Sequence, residues 1–242
     1  MEFNYKYSLQ TIPKETKGIT HIGQKLVKKI LDILTGRNLY DRFIRECPFG
    51  YMLRNTNHTA AGSVLLWVLA REVEVSGRKD EMWFELGGRI YRFGKQEFLL
   101  ITGLHFGGID REIFQATQND PNSLLQRWFN GVLPTISEFA TFVEARSQLN
   151  REDEDVLNDE DLLKLANIGI AFHLFMGQDE KAKISLFLWI IIEDMERWNS
   201  FPWGTLCYSV LFHYLRMALT EERIRKPPRN INIYGYVYAF QV

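Results

Sequence analysis

The stretch Met82-Trp-Phe-Glu-Leu-Gly-Gly-Arg-Ile-Tyr-Arg-Phe93 is the strongest local signal for the fold. Two strand-like runs flank Gly87-Gly88, and two glycines can take both positive-φ positions of a type I′ turn. The sequence therefore predicts a β-hairpin over about residues 82–93, with one face apolar except at its tip. On the other face Trp83 lies opposite Arg92, where the two side chains either stack as a cation–π pair or form a half-exposed surface.

Helical patterns surround this hairpin on both sides. Apolar residues recur at helical spacing, and glycine, proline or a capping residue marks most of the ends. The segments predicted to be helical are residues 22–36, 39–46, 60–69, 95–102, 124–129, 136–149, 162–176, 182–198 and 202–219. The run 60–69 is apolar nearly all round and is therefore expected to be central. The predicted fold class is mainly α, a single helical domain with a short β-hairpin packed on the helices.

Chain length, apolar content and the number of cysteines limit the possible domain organisation and cellular compartment. A chain of 242 residues with 46% apolar residues can form one sizeable core, so we expect an N-terminal extension over 1–18 and one domain over 19–242. The two cysteines, Cys47 and Cys207, allow neither a disulfide framework nor a CxxC zinc module, which favours an intracellular protein of the nucleus or cytoplasm. The most apolar run, 184–192, is about half the length of a membrane-spanning helix, so no membrane partner is expected.

The sequence contains no recognisable catalytic or metal-binding motif. His213 lies six residues after Cys207, so the two side chains would face different directions on one helix. The histidines form no metal-binding pattern on one element; they are His21, His58, His105, His173 and His213. On apolar helix faces, His173 and His213 are expected to be hydrogen-bonded core residues, and Glu193 is placed to pair with Arg197 along a helix. We therefore expect no enzyme activity, no cofactor and no metal.

The net charge of the chain allows nucleic-acid binding only through a local basic patch. A net charge of -1 excludes a positive field over the whole surface. Two basic sets remain as candidates for contacts with nucleic acid: Lys25, Lys28 and Lys29, and Arg223, Arg225 and Lys226. Solvation of a helix face explains the first set, and closure of a helix before Pro227-Pro228 explains the second. Nucleic-acid binding requires both sets to converge on one face.

Three segments together resemble a known family: Glu81 to Phe93, then Glu97-Phe-Leu-Leu-Ile-Thr-Gly-Leu-His-Phe-Gly107, then Trp198-Asn-Ser-Phe-Pro-Trp-Gly204. They look like the plant domain of unknown function that precedes SUMO-protease (ubiquitin-like-protein protease) catalytic domains in Mutator-like transposons and genes derived from them. Phe201 replaces the tyrosine of that family's pattern, and a weaker similarity is to the plant mobile domain. The resemblance covers roughly residue 19 to the end. It carries no assigned catalytic residue, so it implies that the motif residues are mainly architectural.

These observations lead to one main hypothesis and two alternatives. The main one is a non-enzymatic protein-interaction module of a transposon-derived plant protein, with another protein or a SUMO-protease-type domain as partner. Its candidate binding residues are side chains expected to be exposed: Trp83, Arg92, Phe106 and Trp203. The alternatives are a nucleic-acid-binding accessory domain and an uncharacterised enzyme, which would gather Cys207, His173, His213 or Glu193 in a pocket.

Overall fold

The structure is a computed structural model that describes residues 4–7, 16–20, 24–54, 61–117, 120–148, 156–176 and 181–240. Within these residues the fold is mainly α with a few short strands, as the sequence predicts. The helices are α1 (Gln24–Gly36), α2 (Tyr40–Glu46), α3 (Gly50–Leu53), α4 (Gly62–Leu69), α5 (Lys95–Thr102), α6 (Leu124–Phe129), α7 (Ile136–Ser147), α8 (Asp159–Ile170), α9 (Leu186–Ile191), α10 (Met195–Ser200), α11 (Trp203–Ala218) and α12 (Glu221–Arg225). The strands are β1 (Lys17–Thr20), β2 (Glu72–Val73), β3 (Met82–Leu86), β4 (Arg89–Phe93) and β5 (Asn230–Ile233).

The chain divides into two compact units. Unit 1 comprises residues 1–22, 57–107 and 203–242, and unit 2 comprises residues 23–56 and 108–202. The single domain over 19–242 stays a prediction. None of the helices that the structure describes is long and apolar enough to cross a membrane.

In unit 1 the hairpin forms with the register that its turn predicts. Gly87 and Gly88 have φ of 61° and 81°, and the pairs run from Leu86 opposite Arg89 to Met82 opposite Phe93. β2 adds a third strand on the far side of β3, which makes the sheet order β2-β3-β4. A separate parallel pair joins β1 to β5, with Lys17 opposite Asn230. Residues 17–18 of the predicted N-terminal extension therefore belong to a sheet.

Two of the predicted helix faces in unit 1 are wrong. α4 buries Leu65 and Leu69 but leaves Val64 53% and Trp67 48% exposed, because its neighbours cover only one side of the helix. In α11 the helical spacing predicts an apolar face of Leu206, Val210, His213, Tyr214 and Met217, but His213 and Met217 are exposed and a different face is buried. Its core-facing residues include Cys207 and Leu211.

Unit 2 is helical, and its helix starts follow the capping residues. Thr135 and Glu138, which have the Thr-x-x-Glu spacing of a capping box, form one at the start of α7, and Asn158 caps α8. The single helix expected over 182–198 is instead two helices, α9 and α10. Asp194 causes the break, because its Oδ1 accepts hydrogen bonds from the backbone N–H groups of Glu196 and Arg197 and so starts a new helix.

Candidate functional site

Two candidate binding residues, Trp83 and Arg92, take part in a network that holds the hairpin against α5. The Arg92 guanidinium donates hydrogen bonds to Glu97 Oε1 at 2.9 and 2.6 Å, which raises the pKa of Arg92. Glu97 Oε2 accepts from the backbone N–H of Gly94 at 2.9 Å at the start of α5. Trp83 Nε1 donates to Glu81 at 3.3 Å, and Arg92 lies 5.9 Å from the Trp83 ring. Both side chains are half-buried, and the contacts described above are internal to unit 1.

The next part of the motif forms the stop of α5 and the loop that follows it. Thr102 Oγ1 donates to the carbonyl of Phe98 at 2.7 Å and accepts from the N–H of Leu104 at 3.3 Å. Gly103 ends the helix with φ of 67°, a conformation that glycine adopts without strain. These side chains therefore shape the backbone.

Phe106 and Trp203, the other two candidate binding residues, pack inside unit 1. Phe106 is half-buried against Phe98 and Tyr208, with ring centroids 6.2 Å from each. Trp203 is 1% exposed, so the prediction that it lies at the surface is wrong. The backbone N–H of Gly204 donates to the carbonyl of His105 at 2.8 Å, which draws the start of α11 against this loop and turns the indole inward.

Unit 1 contains an accessible, largely apolar cavity that we call the hairpin groove. It has a volume of about 540 Å³ and lies between α4, the apolar face of the hairpin, α5 and the turn at Val237–Phe240. Its lining includes Val64, Leu86, Tyr91, Ile101 and Phe240. Phe240 packs edge-on to Phe84 and Phe93 at 5.2 and 5.0 Å, which fixes the floor of the groove. Val64 and Tyr91 are 53% and 47% exposed.

A second cavity in unit 1, of about 590 Å³, is lined largely by charged residues that pair with one another. The buried carboxylate of Glu72 accepts from Lys6 Nζ at 3.0 Å and from the Arg216 guanidinium at 2.7 Å. Arg216 also donates to the carbonyl of Glu81 at 3.0 Å. The cations nearest the buried acid are thus used to neutralise it.

The candidate catalytic groups lie in unfavourable surroundings for chemistry. Burial raises the pKa of Cys47 to about 12 and raises that of Cys207 as well, which disfavours the reactive thiolate of both. His173 is buried, whereas His213 is exposed, so the expectation of a core histidine is wrong for His213. Over the described parts of the chain, no group of three or more His, Cys, Asp or Glu side chains could hold a metal ion. His21 and His58 lie outside the described residues.

Glu193, another candidate in the enzyme alternative, has a structural role in unit 2. Its Oε1 accepts from the backbone N–H of Leu124 at 2.5 Å, at the start of α6, and its Oε2 lies 3.4 Å from Lys164 Nζ. The expected pair with Arg197 does not form in the described residues, because Asp194 interrupts the helix between them.

The two basic sets belong to different units and each contains internal pairs. In unit 2, Lys29 Nζ lies 2.6 Å from Glu144. In unit 1, Arg225 lies 3.4 Å from Glu221, and Arg223 donates to the carbonyl of Met217 at 2.7 Å. Lys25, Lys28 and Lys226 are exposed. Convergence of the two sets on one face stays a prediction.

Comparison with known proteins gives a family and nothing more specific. The family model of DUF1985, a domain of unknown function, matches residues 69–214, which is more than half of the chain. No curated protein and no solved structure matches the chain. The matched residues include the hairpin, α5 and most of α11.

Proposed function

The chain belongs to the DUF1985 family of domains of unknown function, and we propose that it is a non-enzymatic protein-interaction module whose binding surface is the hairpin groove. The resemblance of its three motifs supports a transposon-derived plant protein as the parent. That resemblance also supports another protein, such as a SUMO-protease-type domain, as the partner. Free thiols at Cys47 and Cys207 support an intracellular location, in the nucleus or cytoplasm.

The observation that carries this proposal is the exposure of apolar side chains around a preformed cavity. The side chains of Val64 and Tyr91 are about half exposed at the groove. The packed rings of Phe84, Phe93 and Phe240 form its floor. Apolar side chains that remain exposed together beside a rigid floor are typical of binding surfaces, and tyrosine is enriched among residues that dominate binding energies. The groove therefore supplies a rigid floor and an aromatic anchor.

The hydrogen bonds of the motif residues and the burial of the two thiols support a binding role over a catalytic one. Arg92, Glu97 and Thr102 make hydrogen bonds that fix the hairpin and the end of α5. The two thiols are buried with raised pKa values, so neither has the low pKa of an activated nucleophile. The hairpin groove contains neither thiol.

The proposal is tested by site-specific crosslinking from the groove. A photo-reactive amino acid at position 91 should capture a protein partner in cells, and the same group at position 100 should not. Leu100 is the matched control because it is 82% exposed, lies in the same unit and does not line the groove. Capture should survive nuclease treatment, whereas its loss would favour the nucleic-acid alternative.

Affinity for the captured partner then provides the quantitative test. Tyr91→Asp and Val64→Asp should each weaken binding by at least about tenfold, since a charge would be buried at the anchor of the interface. Leu100→Asp should leave the affinity unchanged. Equal losses in all three variants, or no loss at position 91, would contradict the assignment of the groove.

A further inference from the structure

We propose that the open edge of β4 binds an extended segment of a partner protein as an added β-strand, with an acidic side chain of that segment at Arg89. This inference rests on the proposed function and specifies how the groove and the strand beside it recognise their partner. The partner segment would place apolar side chains against Tyr91 and the hairpin groove. Main-chain hydrogen bonds to β4 would supply much of the affinity, as in other complexes formed by strand addition.

The backbone of β4 presents donors and acceptors to the outside of the sheet. In a hairpin with a two-residue turn, the flanking residues Leu86 and Arg89 exchange hydrogen bonds, and the pattern then alternates along the strands. Ile90 and Arg92 are consequently in non-hydrogen-bonded pairs, and their N–H and C=O groups point away from β3. The hydrogen bond from Glu85 N to the carbonyl of Arg71, at 3.1 Å, supports this alternation, because Glu85 is the partner of Ile90 and its backbone also points outward.

The opposite edge of the same sheet is already covered by the chain itself. Tyr5 forms a bridge with Val73, the N–H of Lys6 donates to the carbonyl of Glu72 at 2.9 Å, and the N–H of Glu74 donates to the carbonyl of Asn4 at 2.9 Å. Among the described residues, no backbone group pairs in the same way with Ile90 or Arg92. One edge of the sheet thus carries an added segment, whereas the β4 edge is open in the part of the chain that the structure describes.

The side chains of β4 indicate what kind of segment would bind. Arg89 and Tyr91 share the face that borders the groove, since residues two apart in a strand point to the same side. Arg89 is exposed, and it makes no ion pair with any described residue. An added strand would therefore match this face best with an apolar residue opposite Tyr91 and an aspartate or glutamate two positions away, opposite Arg89.

The same charges argue against a second copy of the chain as the occupant. Two β4 edges brought together would place two copies of both Arg89 and Arg92 along one short strand pair. Charged residues on an edge strand are a common protection against such pairing between identical chains. A segment with acidic residues removes that repulsion, so a partner of opposite charge fits the edge better.

The test is selection of random nine-residue peptides, displayed on phage, against the full chain. We expect the enriched peptides to share an apolar and an acidic residue two positions apart. Bound peptide should slow hydrogen exchange at the amides of Ile90 and Arg92, measured by NMR, because these amides become hydrogen-bonded. Enriched peptides with key residues three or four apart, as on a helix, would overturn the inference, and so would binding that leaves both amides unprotected.

Two matched controls separate the backbone contribution from side-chain contacts. Ile90→Pro removes an N–H that β3 does not use, whereas Ile90→Ala keeps it, so only the proline variant should lose at least tenfold in affinity. A second control modifies the peptide and leaves the chain unchanged, so it does not depend on the folding of the proline variant. A selected peptide whose backbone amides facing β4 are N-methylated should also lose at least tenfold in affinity. Arg89→Glu should weaken the acidic peptide by about threefold and favour its lysine counterpart. Equal binding of methylated and unmethylated peptides would refute strand addition.

The remaining outcomes distinguish this inference from the proposed function. If position 91 captures a protein in cells but no displayed peptide is enriched, the interaction module stands and the β4 edge is not its recognition element. If the chain alone is a dimer in sedimentation, with Ile90 and Arg92 already protected, the occupant is a second copy and the inference fails.

Discussion

Asp161 is the buried carboxylate of unit 2 on which we expect stability to depend most strongly. It is 4% exposed, and it accepts two hydrogen bonds from the Arg127 guanidinium, at 2.5 and 2.9 Å. Trp128 Nε1 donates at 2.7 Å, and the Asn158 amide donates at 3.1 Å. One side chain therefore ties α6 to the first turn of α8.

The cost of Asp161→Ala follows from what each partner loses. Removing one member of a fully buried ion pair costs about 3–5 kcal/mol, because the remaining charge stays in the interior. Here the Arg127 side chain is 37% exposed and regains water, while Trp128 Nε1 loses a partner in a half-buried position. We therefore expect a loss of about 2–3 kcal/mol in the free energy of unfolding. Asp161→Asn keeps an acceptor for Trp128 and should lose about 1 kcal/mol.

The control is Glu160→Ala, which removes the neighbouring acid from the same helix turn. Glu160 pairs with Arg42 at 2.8 Å, but both side chains are exposed, so its loss should cost at most about 1 kcal/mol. Urea unfolding at pH 7, followed by circular dichroism, measures all three variants against the natural chain. A loss for Glu160→Ala as large as that for Asp161→Ala would refute the reasoning.

The pH dependence gives an independent check on Asp161. Burial raises its pKa, but hydrogen bonds from Arg127 and Trp128 outweigh burial, and the folded pKa lies below its ordinary value. Its contribution is therefore fully present above the unfolded pKa, about 3.9, and is lost as pH falls through the lower folded pKa. The difference between the natural chain and Asp161→Ala should shrink in that acidic range. A difference that stays constant between pH 7 and pH 2 would show that the carboxylate charge is not its source.

Two further predictions concern close packing and the thiols. Gly204→Ala places a Cβ 2.5 Å from Phe106 Cδ2 and 2.7 Å from the His105 carbonyl, so we expect a loss of about 1–3 kcal/mol in thermal unfolding experiments. Gly36→Ala, where no atom lies within 4 Å of the added Cβ, should leave the midpoint unchanged or slightly higher. Cys47 and Cys207 should resist iodoacetamide in the native chain and react fully in urea, because both are buried with raised pKa values. Rapid alkylation of either native thiol would contradict that picture and restore the enzyme alternative.

The elements that the sequence predicts well are those specified by neighbouring residues. Gly87-Gly88 determines the turn, and the turn determines every pair of the hairpin. Thr135 and Glu138 fix the start of α7 in the same local way, and Gly103 fixes the end of α5. In each case the residues that decide the geometry lie within a few positions of one another.

The predictions that failed required information from distant parts of the chain. α11 has apolar residues on two sides, and only its packing in unit 1 decides that Cys207 and Leu211 face inward while His213 faces solvent. Burial of Trp203 follows from the approach of Gly204 to the loop at His105, a contact between segments far apart in sequence. The parallel pair of β1 and β5 joins residues near the two ends of the chain, and no local pattern specifies such a partner.

Of the proposed binding surface, the sequence indicates only Arg92, which lines the groove, for a related physical reason. Sequence motifs draw attention to side chains such as Arg92, Glu97 and Thr102, which in this fold make internal hydrogen bonds. The open edge of β4 depends instead on backbone groups, and every non-proline residue carries the same N–H and C=O. What makes Ile90 and Arg92 available is their place in the register and the absence of a fourth strand among the described residues beside them. A surface of this kind leaves almost no mark on the sequence, because any strand residue other than proline would present it.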